Sequence, residues 1–258
     1  MKKFYLFAAL ALATLTTSAQ QRLNLSTYQG TDVANYDGKT LEVNTTRTMF
    51  KGWNTLSLPF ALSEQELNQF FGSDCKLEKL VGVEEAGNTI LLNFQDCKAS
   101  GVQPNTPYIL FYTGENGNVK IATKARISNE TSALSFTTNS GDIVKMCGAA
   151  KRLNGKGLYG VKAIDNSDAK FVTVDTDATF FYATRCYITL SSGTDKLLTS
   201  RHMAAGETTS ITDIATENEK VDVYNTNGIR VATKTTASQV NNLKPGIYVV
   251  KGQKILVK

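Results

Sequence analysis

His202 is the only histidine among the 258 residues, so chemistry that needs two imidazoles, such as a zinc-binding H-E-x-x-H helix, is excluded within this chain. A Ser-His-acid or Cys-His triad would have to use His202. The residue stands in SRHMAAGE, beside a small and polar stretch, with no cysteine near it and no G-x-S-x-G elbow in the sequence. That setting predicts a solvated linker histidine and no catalytic residue. Gly155, Gly157 and Gly160 fit G-x-G-x-x-G, which cradles a pyrophosphate where a parallel strand runs into a helix. The following VKAIDNSDAKFVTV reads as strand and turn, so the pattern predicts a glycine turn entering a strand, with no cofactor. Paired carboxylates at Glu84 and Glu85, Asp165 and Asp168, and Asp175 and Asp177 are where a glycosidase or a calcium site would start. Glu84 and Glu85 flank an expected hairpin turn, and neither aspartate pair fits D-x-[DN]-x-[DN]-G, so these read as solvated turns and no metal site is assigned.

Aromatic side chains can stack on a glycan, and Trp53, Tyr108, Tyr112, Phe180, Phe181 and Tyr182 are the leading examples. Most lie in strand patterns and are expected in the core. Phe180-Phe181-Tyr182 is different, because side chains alternate across a strand and three in a row cannot all face one core. At least one of the three is expected to point outward, unless a bulge or second layer covers it, and an exposed ring there is the candidate ligand contact.

Four cysteines allow three disulfide connectivities. Cys75 and Cys97 are symmetric about Ala86, and KLEKLVGVEEAGNTILLNFQD reads as two strands around the loop Glu85-Ala86-Gly87. In that register Leu80 faces Leu92 and Lys76 faces Asp96, which predicts Cys75 to Cys97 and, by elimination, Cys147 to Cys186. Four buried free thiols are the alternative.

The elements that must carry these residues are mostly strands. Short alternating apolar runs broken by Gly, Asn, Asp and Ser recur at Thr55 to Phe60, Tyr108 to Tyr112, Val119 to Thr123, Phe171 to Val174 and Cys186 to Leu190. The expected fold class is all-β, a β-sandwich-like body with one short helix. Ser63 and Glu66 form a capping box for that helix, Leu62 and Leu67 a hydrophobic staple, and Gly72 its end, giving about nine residues. The strand pattern stops after Leu198, and AAGETTSITDIAT at 204–216 has linker composition. The body is therefore set at 20–203 and a C-terminal domain at 217–258. In the latter, VDVYNT, Asn227-Gly228 and IRVATK predict a type I′ hairpin, and a second hairpin is expected about Gly252-Gln253.

The first residues read as an address. Lys2 and Lys3, the twelve-residue apolar run Phe4 to Leu15, and Thr17-Ser18-Ala19 have the layout of a secretory signal cut after Ala19. Such a run spans only ~18 Å as a helix against ~30 Å of hydrocarbon, so a signal is expected and a membrane-spanning segment is not. Without Lys2 and Lys3 the net charge of +5 falls to +3 (5 − 2), too mild and too dispersed to predict a nucleic-acid partner.

The tail resembles the C-terminal sorting domain of the type IX (Por) secretion system of Gram-negative bacteria. The resemblance rests on the strand from Val221 through Tyr224, the Asn227-Gly228 turn, LKPGIY with Gly246 and Tyr248, and the closing Lys254 to Lys258. It implies a small β-sandwich read by the outer-membrane translocon, and commonly cleavage and attachment of the cargo to surface polysaccharide. The Pro-Asn-Pro strand that opens longer forms is lacking. The body, through KGWNTLSLPF, PNTPYILF, GLYGV and FFYATRCYITL, resembles surface modules of bacteria that carry such tails. Together these imply a non-enzymatic binding or structural protein secreted to the outer cell surface, with the translocon and an unknown surface or host ligand as partners. The alternatives are a secreted carboxylate hydrolase and a protease inhibitor presenting a rigid loop, such as one closed by Cys75 to Cys97.

Overall fold

The computed structural model describes residues 21–162, 169–206 and 219–257. The expected signal at 1–19, most of the 204–216 linker, Asp165, Asp168 and Lys258 lie outside the described residues. The fold is all-β. The body begins with β1 (Arg22–Leu25), β2 (Thr40–Met49), β3 (Gly52–Leu56), α1 (Glu64–Phe71), β4 (Lys76–Ala86), β5 (Thr89–Asp96), β6 (Tyr108–Tyr112) and β7 (Gly117–Arg126). It continues with β8 (Ala133–Thr137), β9 (Ile143–Gly148), β10 (Leu153–Asn154), β11 (Tyr159–Lys162), β12 (Lys170–Thr173), β13 (Phe180–Phe181), β14 (Cys186–Leu190) and β15 (Leu197–Met203).

Three layers result. The middle one is a five-stranded sheet in the order β15-β5-β4-β6-β3. On one face its Trp53, Leu80, Leu92, Phe94 and Ile109 pack against Val144, Met146, Phe171 and Ile188 of a second five-stranded sheet, β12-β11-β14-β9-β8. On the other, Leu56, Leu77 and Leu110 meet Leu41, Val43 and Ile121 of the sheet β1-β2-β7, together with Leu67 and Phe71 of α1. A sheet covered on both sides needs no polar face, which is why β3 is buried at every position and Ile90-Leu91-Leu92 runs apolar without alternation. The eight-residue α1 is built as its sequence indicates. Ser63 caps it reciprocally with Glu66, Leu62 and Leu67 are both buried, and Gly72 (φ 92°) ends it.

The β4–β5 hairpin forms with a different register. Its loop is Gly87-Asn88, and a bulge at Val81 sets Leu80 opposite Phe94 and Val83 opposite Leu92. Lys76 pairs with Phe111 of β6 and not with Asp96. Cys97 thereby comes to lie beside Leu77, whose carbonyl accepts its N–H at 2.9 Å, two residues away from Cys75. Cys147 and Cys186 occupy successive cross-strand pairs of β9 and β14, so their side chains take opposite faces. All four cysteines are free thiols, correcting both expected disulfides. Burial pushes Cys97 and Cys186 up to about 12.

The strand pattern continues past Leu198, since β15 runs parallel to β5 as far as Met203. The C-terminal unit contains β16 (Val221–Asn225), β17 (Arg230–Thr235), the short α2 (Ala237–Val240), β18 (Gly246–Val250) and β19 (Gln253–Val257). In place of the expected sandwich it is one antiparallel sheet, β17-β16-β18-β19, with Val223, Val250 and Ile255 sharing a separate core with Ala237 and Val240 of α2. Its turns exchange the expected types. Asn225 accepts from the Gly228 N–H at 3.0 Å, and of Asn227 and Gly228 only Gly228 (φ 77°) is left-handed, which is a type I turn closed by a glycine bulge. The I′ geometry belongs to the second hairpin, whose loop is Lys251-Gly252 (φ 49° and 80°), one residue earlier than expected.

Candidate functional site

The aromatic triplet is positioned by glycines. The rings of Phe181 and the backbones of Gly155 and Gly160 are in such close contact that a Cβ on either glycine would stand 3.1 Å from the ring. The G-x-G-x-x-G pattern is therefore a turn into β11 that seats a phenylalanine, and Gly157 (φ 76°) supplies the turn. β10 pairs with β13 and holds the triplet in place. Phe181 is buried, while Phe180 and Tyr182 are half-buried, as alternation requires. The Arg152 guanidinium lies 3.8 Å from the Phe180 ring centre, and Tyr28 stacks on Tyr182 at 5.1 Å.

The triplet borders an open cleft of about 650 Å³. Tyr28, Phe50, Phe180, Phe181 and Tyr182 line it with Arg47 and Arg185, and Thr27, Thr48 and Thr179 complete the wall. Among the described residues no carboxylate lines it. Arg47 is 1% exposed. Its Nη1 donates to Thr184 Oγ1 at 3.2 Å and Nη2 to the Thr55 carbonyl. Burial and the neighbouring Arg185 push it down to about 9. Flat aromatic faces with hydroxyls and guanidinium donors at their edges suit a ring-shaped polar ligand.

Of these residues, sequence reasoning found only the triplet. Arg47 did carry a signal, because Leu41, Val43, Thr45, Arg47 and Met49 alternate along the inward face of β2, and an arginine in that series has no solvent to enter. Tyr28, Phe50 and Arg185 reach the cleft through tertiary packing and carry no local mark.

His202 is not a linker residue. It lies on β15 with its ring stacked on Trp53 at 4.4 Å. Its Nε2 accepts the Ala169 N–H at 3.3 Å, and since a backbone amide can only donate, the ring proton sits on Nδ1 and points at Glu78 Oε2, 2.6 Å away. Ser200 Oγ is 3.1 Å from Nε2, so Glu78, His202 and Ser200 follow the acid-base-nucleophile order of a hydrolase triad. Access is what differs. Ser200 is 1% exposed and its hydroxyl donates to the Ala169 carbonyl at 3.2 Å, leaving an acyl carbon no approach to Oγ in this conformation.

The paired carboxylates separate. Glu84 accepts from Arg201 Nη1 and Asn93 Nδ2, both at 2.9 Å, whereas its neighbour Glu85 binds Ser140 and Lys196. Lys196 also meets Asp142 at 2.6 Å. Burial pushes the Glu85 carboxyl up, but hydrogen bonds from Lys196, Ser140 and Thr138 outweigh it and hold it down to about 2. A group so paired has no proton to give near neutrality. Asp177 pairs with exposed Lys156 at 2.8 Å. Among the described residues no group of three His, Cys, Asp or Glu is arranged to hold a metal ion, and no helix is long and apolar enough to cross a membrane. Compared with known proteins, the chain matches no family model, no curated protein and no solved structure.

Proposed function

We propose that this chain is an exported, surface-directed binding protein, with the ligand site in the body and the address at its C-terminus. The observation that carries the binding half is the cleft, which gathers exposed and half-buried aromatic rings and arginines, with no carboxylate among the described residues that line it. The carboxylates that do converge, Glu85 and Asp142, are tied to Lys196 away from it. A saccharide with an apolar ring face is the ligand class that such walls suit best. In affinity electrophoresis against a panel of soluble polysaccharides, Tyr182→Ala is expected to weaken retention about threefold to tenfold, the worth of one stacked ring. Retention of no polysaccharide by the unaltered chain, or equal retention of both proteins, would count against this site.

The address half rests on the residues at 217–258 and on the separate core they form, since a unit with its own core offers a receptor the same surface whatever body precedes it. Delivery by the type IX translocon predicts that a chain ending at Thr216, expressed in its native cells, is absent from the cell surface and accumulates in the periplasm. Intact mass measured in each cell fraction reads this directly. Surface display of the truncated chain would make the tail ordinary structure.

A further inference from the structure

The cleft has a feature that stacking alone does not require. Arg47 and Arg185 meet at its floor, and among the described residues neither forms an ion pair. Arg47 is almost wholly buried, and its Nε has no hydrogen-bond partner even though Nη1 and Nη2 are both engaged. Arg185 is held beside it, with Nη2 donating to the Thr48 carbonyl at 3.2 Å. Two cations buried next to each other repel, and each has lost water without gaining a counter-charge. The surroundings enforce the arrangement. Thr184, which receives Arg47 Nη1, is a β-branched residue at φ 69°, a conformation its side chain disfavours. It is pinned there by its N–H to the Ala149 carbonyl at 2.8 Å and by its own carbonyl, which accepts from Ser57 at 3.0 Å. Strain and uncompensated charge kept in one place are what a preformed ligand site stores.

We infer that Arg185, with the buried Arg47 guanidinium behind it, forms an anion subsite that receives a carboxylate or sulfate borne by the saccharide whose ring lies on the aromatic wall. This deepens the reading of the cleft as a saccharide site and rests on it. The ligand is thus an acidic saccharide. A polynucleotide fits less well, for two reasons. Tyr28 and Tyr182 stack on each other and leave no slot between them for a base. A cation sunk at the floor reaches one projecting group and cannot track a phosphate backbone, which needs a row of surface charges.

The test uses the full chain and a matched pair of probes, trigalacturonate and its neutral methyl ester, with a heparin-derived tetrasaccharide to represent sulfate and a short single-stranded RNA as the other class. Titration calorimetry is expected to show an acidic probe binding at least tenfold tighter than its neutral counterpart. Arg185→Gln, at a half-buried position that leaves Arg47 in place, should weaken the acidic probe about tenfold to a hundredfold, as expected for one charged hydrogen-bonded contact, and weaken the neutral ester far less. The preferred acid then separates carboxylate from sulfate. Equal affinity for acid and ester, or no effect of Arg185→Gln, overturns the anion subsite while the saccharide reading stands. Binding of the RNA in preference to both saccharides overturns the assignment to a sugar. If no probe binds and Tyr182→Ala alters nothing, both the subsite and the cleft reading fail. Arg47→Lys, which replaces the guanidinium fork with a single ammonium, serves as the second variant and should weaken the acidic probe more than the neutral ester.

Discussion

Trp53→Ala lowers the stability of the body by about 3–5 kcal/mol, the range for deleting a large aromatic from a packed core. Trp53 is 1% exposed and sits between the two five-stranded sheets, edge-on to Phe111 at 5.2 Å and face-on to His202 at 4.4 Å. Nothing adjacent can collapse into the space it leaves, because its neighbours are anchored elsewhere. His202 is fixed by Glu78 and Ala169, and Phe111 by its pairing to β3 and β4. The cavity therefore persists, and its lining loses contacts outright. The expected signature is a lower urea midpoint for the body, followed by far-UV circular dichroism, since Trp53 is the only tryptophan and fluorescence is lost with it. The C-terminal sheet has its own core, so its amide exchange should be unaffected. A cost below about 1 kcal/mol would mean that the two sheets can close over the gap, and that their packing is looser than this geometry states.

What could be read from the sequence was local. The capping box of α1 involves residues three apart, and the ends of β6 and β14 coincide with their apolar runs, because alternation and turn chemistry act within a few residues. The register of β4 against β5 escaped because the turn is made at Gly87-Asn88 and not at Glu85-Ala86-Gly87, which shifts the pairing by three residues, and the bulge at Val81 takes back only one, leaving Cys97 beside Leu77 and not beside Cys75. The strand pattern breaks off after Leu198 in the sequence, and β15 continues past it to Met203 because its partner β5 lies far earlier and runs parallel, so no hairpin turn announces the pairing. The same break hid His202. In a linker it is a solvated imidazole, whereas on β15, the edge strand of the middle sheet, it meets Glu78 and Ser200. The cleft was half legible. Three consecutive aromatics violate strand alternation visibly, but the arginines beneath them come from β2 and from the turn before β14, and only the fold brings these together.

Gly101→Ala should cost about 3 kcal/mol or more, beyond what lost backbone freedom explains. Gly101 has φ 66°, and a Cβ built on it would fall 2.1 Å from the Leu62 carbonyl oxygen and 3.3 Å from Ser63 Cα. Both atoms are backbone and cannot swing aside. Relief requires opening the bridge in which Leu62 and Val102 exchange hydrogen bonds of 3.1 and 2.8 Å, both residues being buried. Leu62 is also the residue from which the chain enters α1, so its displacement uncouples the Leu62–Leu67 staple and strips the helix of its anchor to the core. Gly72→Ala provides the comparison, since Gly72 has φ 92° with nothing within 4 Å of a Cβ, and its substitution carries the conformational penalty alone, about 1 kcal/mol. Urea midpoints of the two variants measure the difference, and exchange of the Leu67 amide, which donates to the Ser63 carbonyl at 2.9 Å, reports whether α1 has come loose. If the two alanines cost the same and Leu67 stays protected, the Leu62 carbonyl can move without consequence, and the capping box alone holds the helix start.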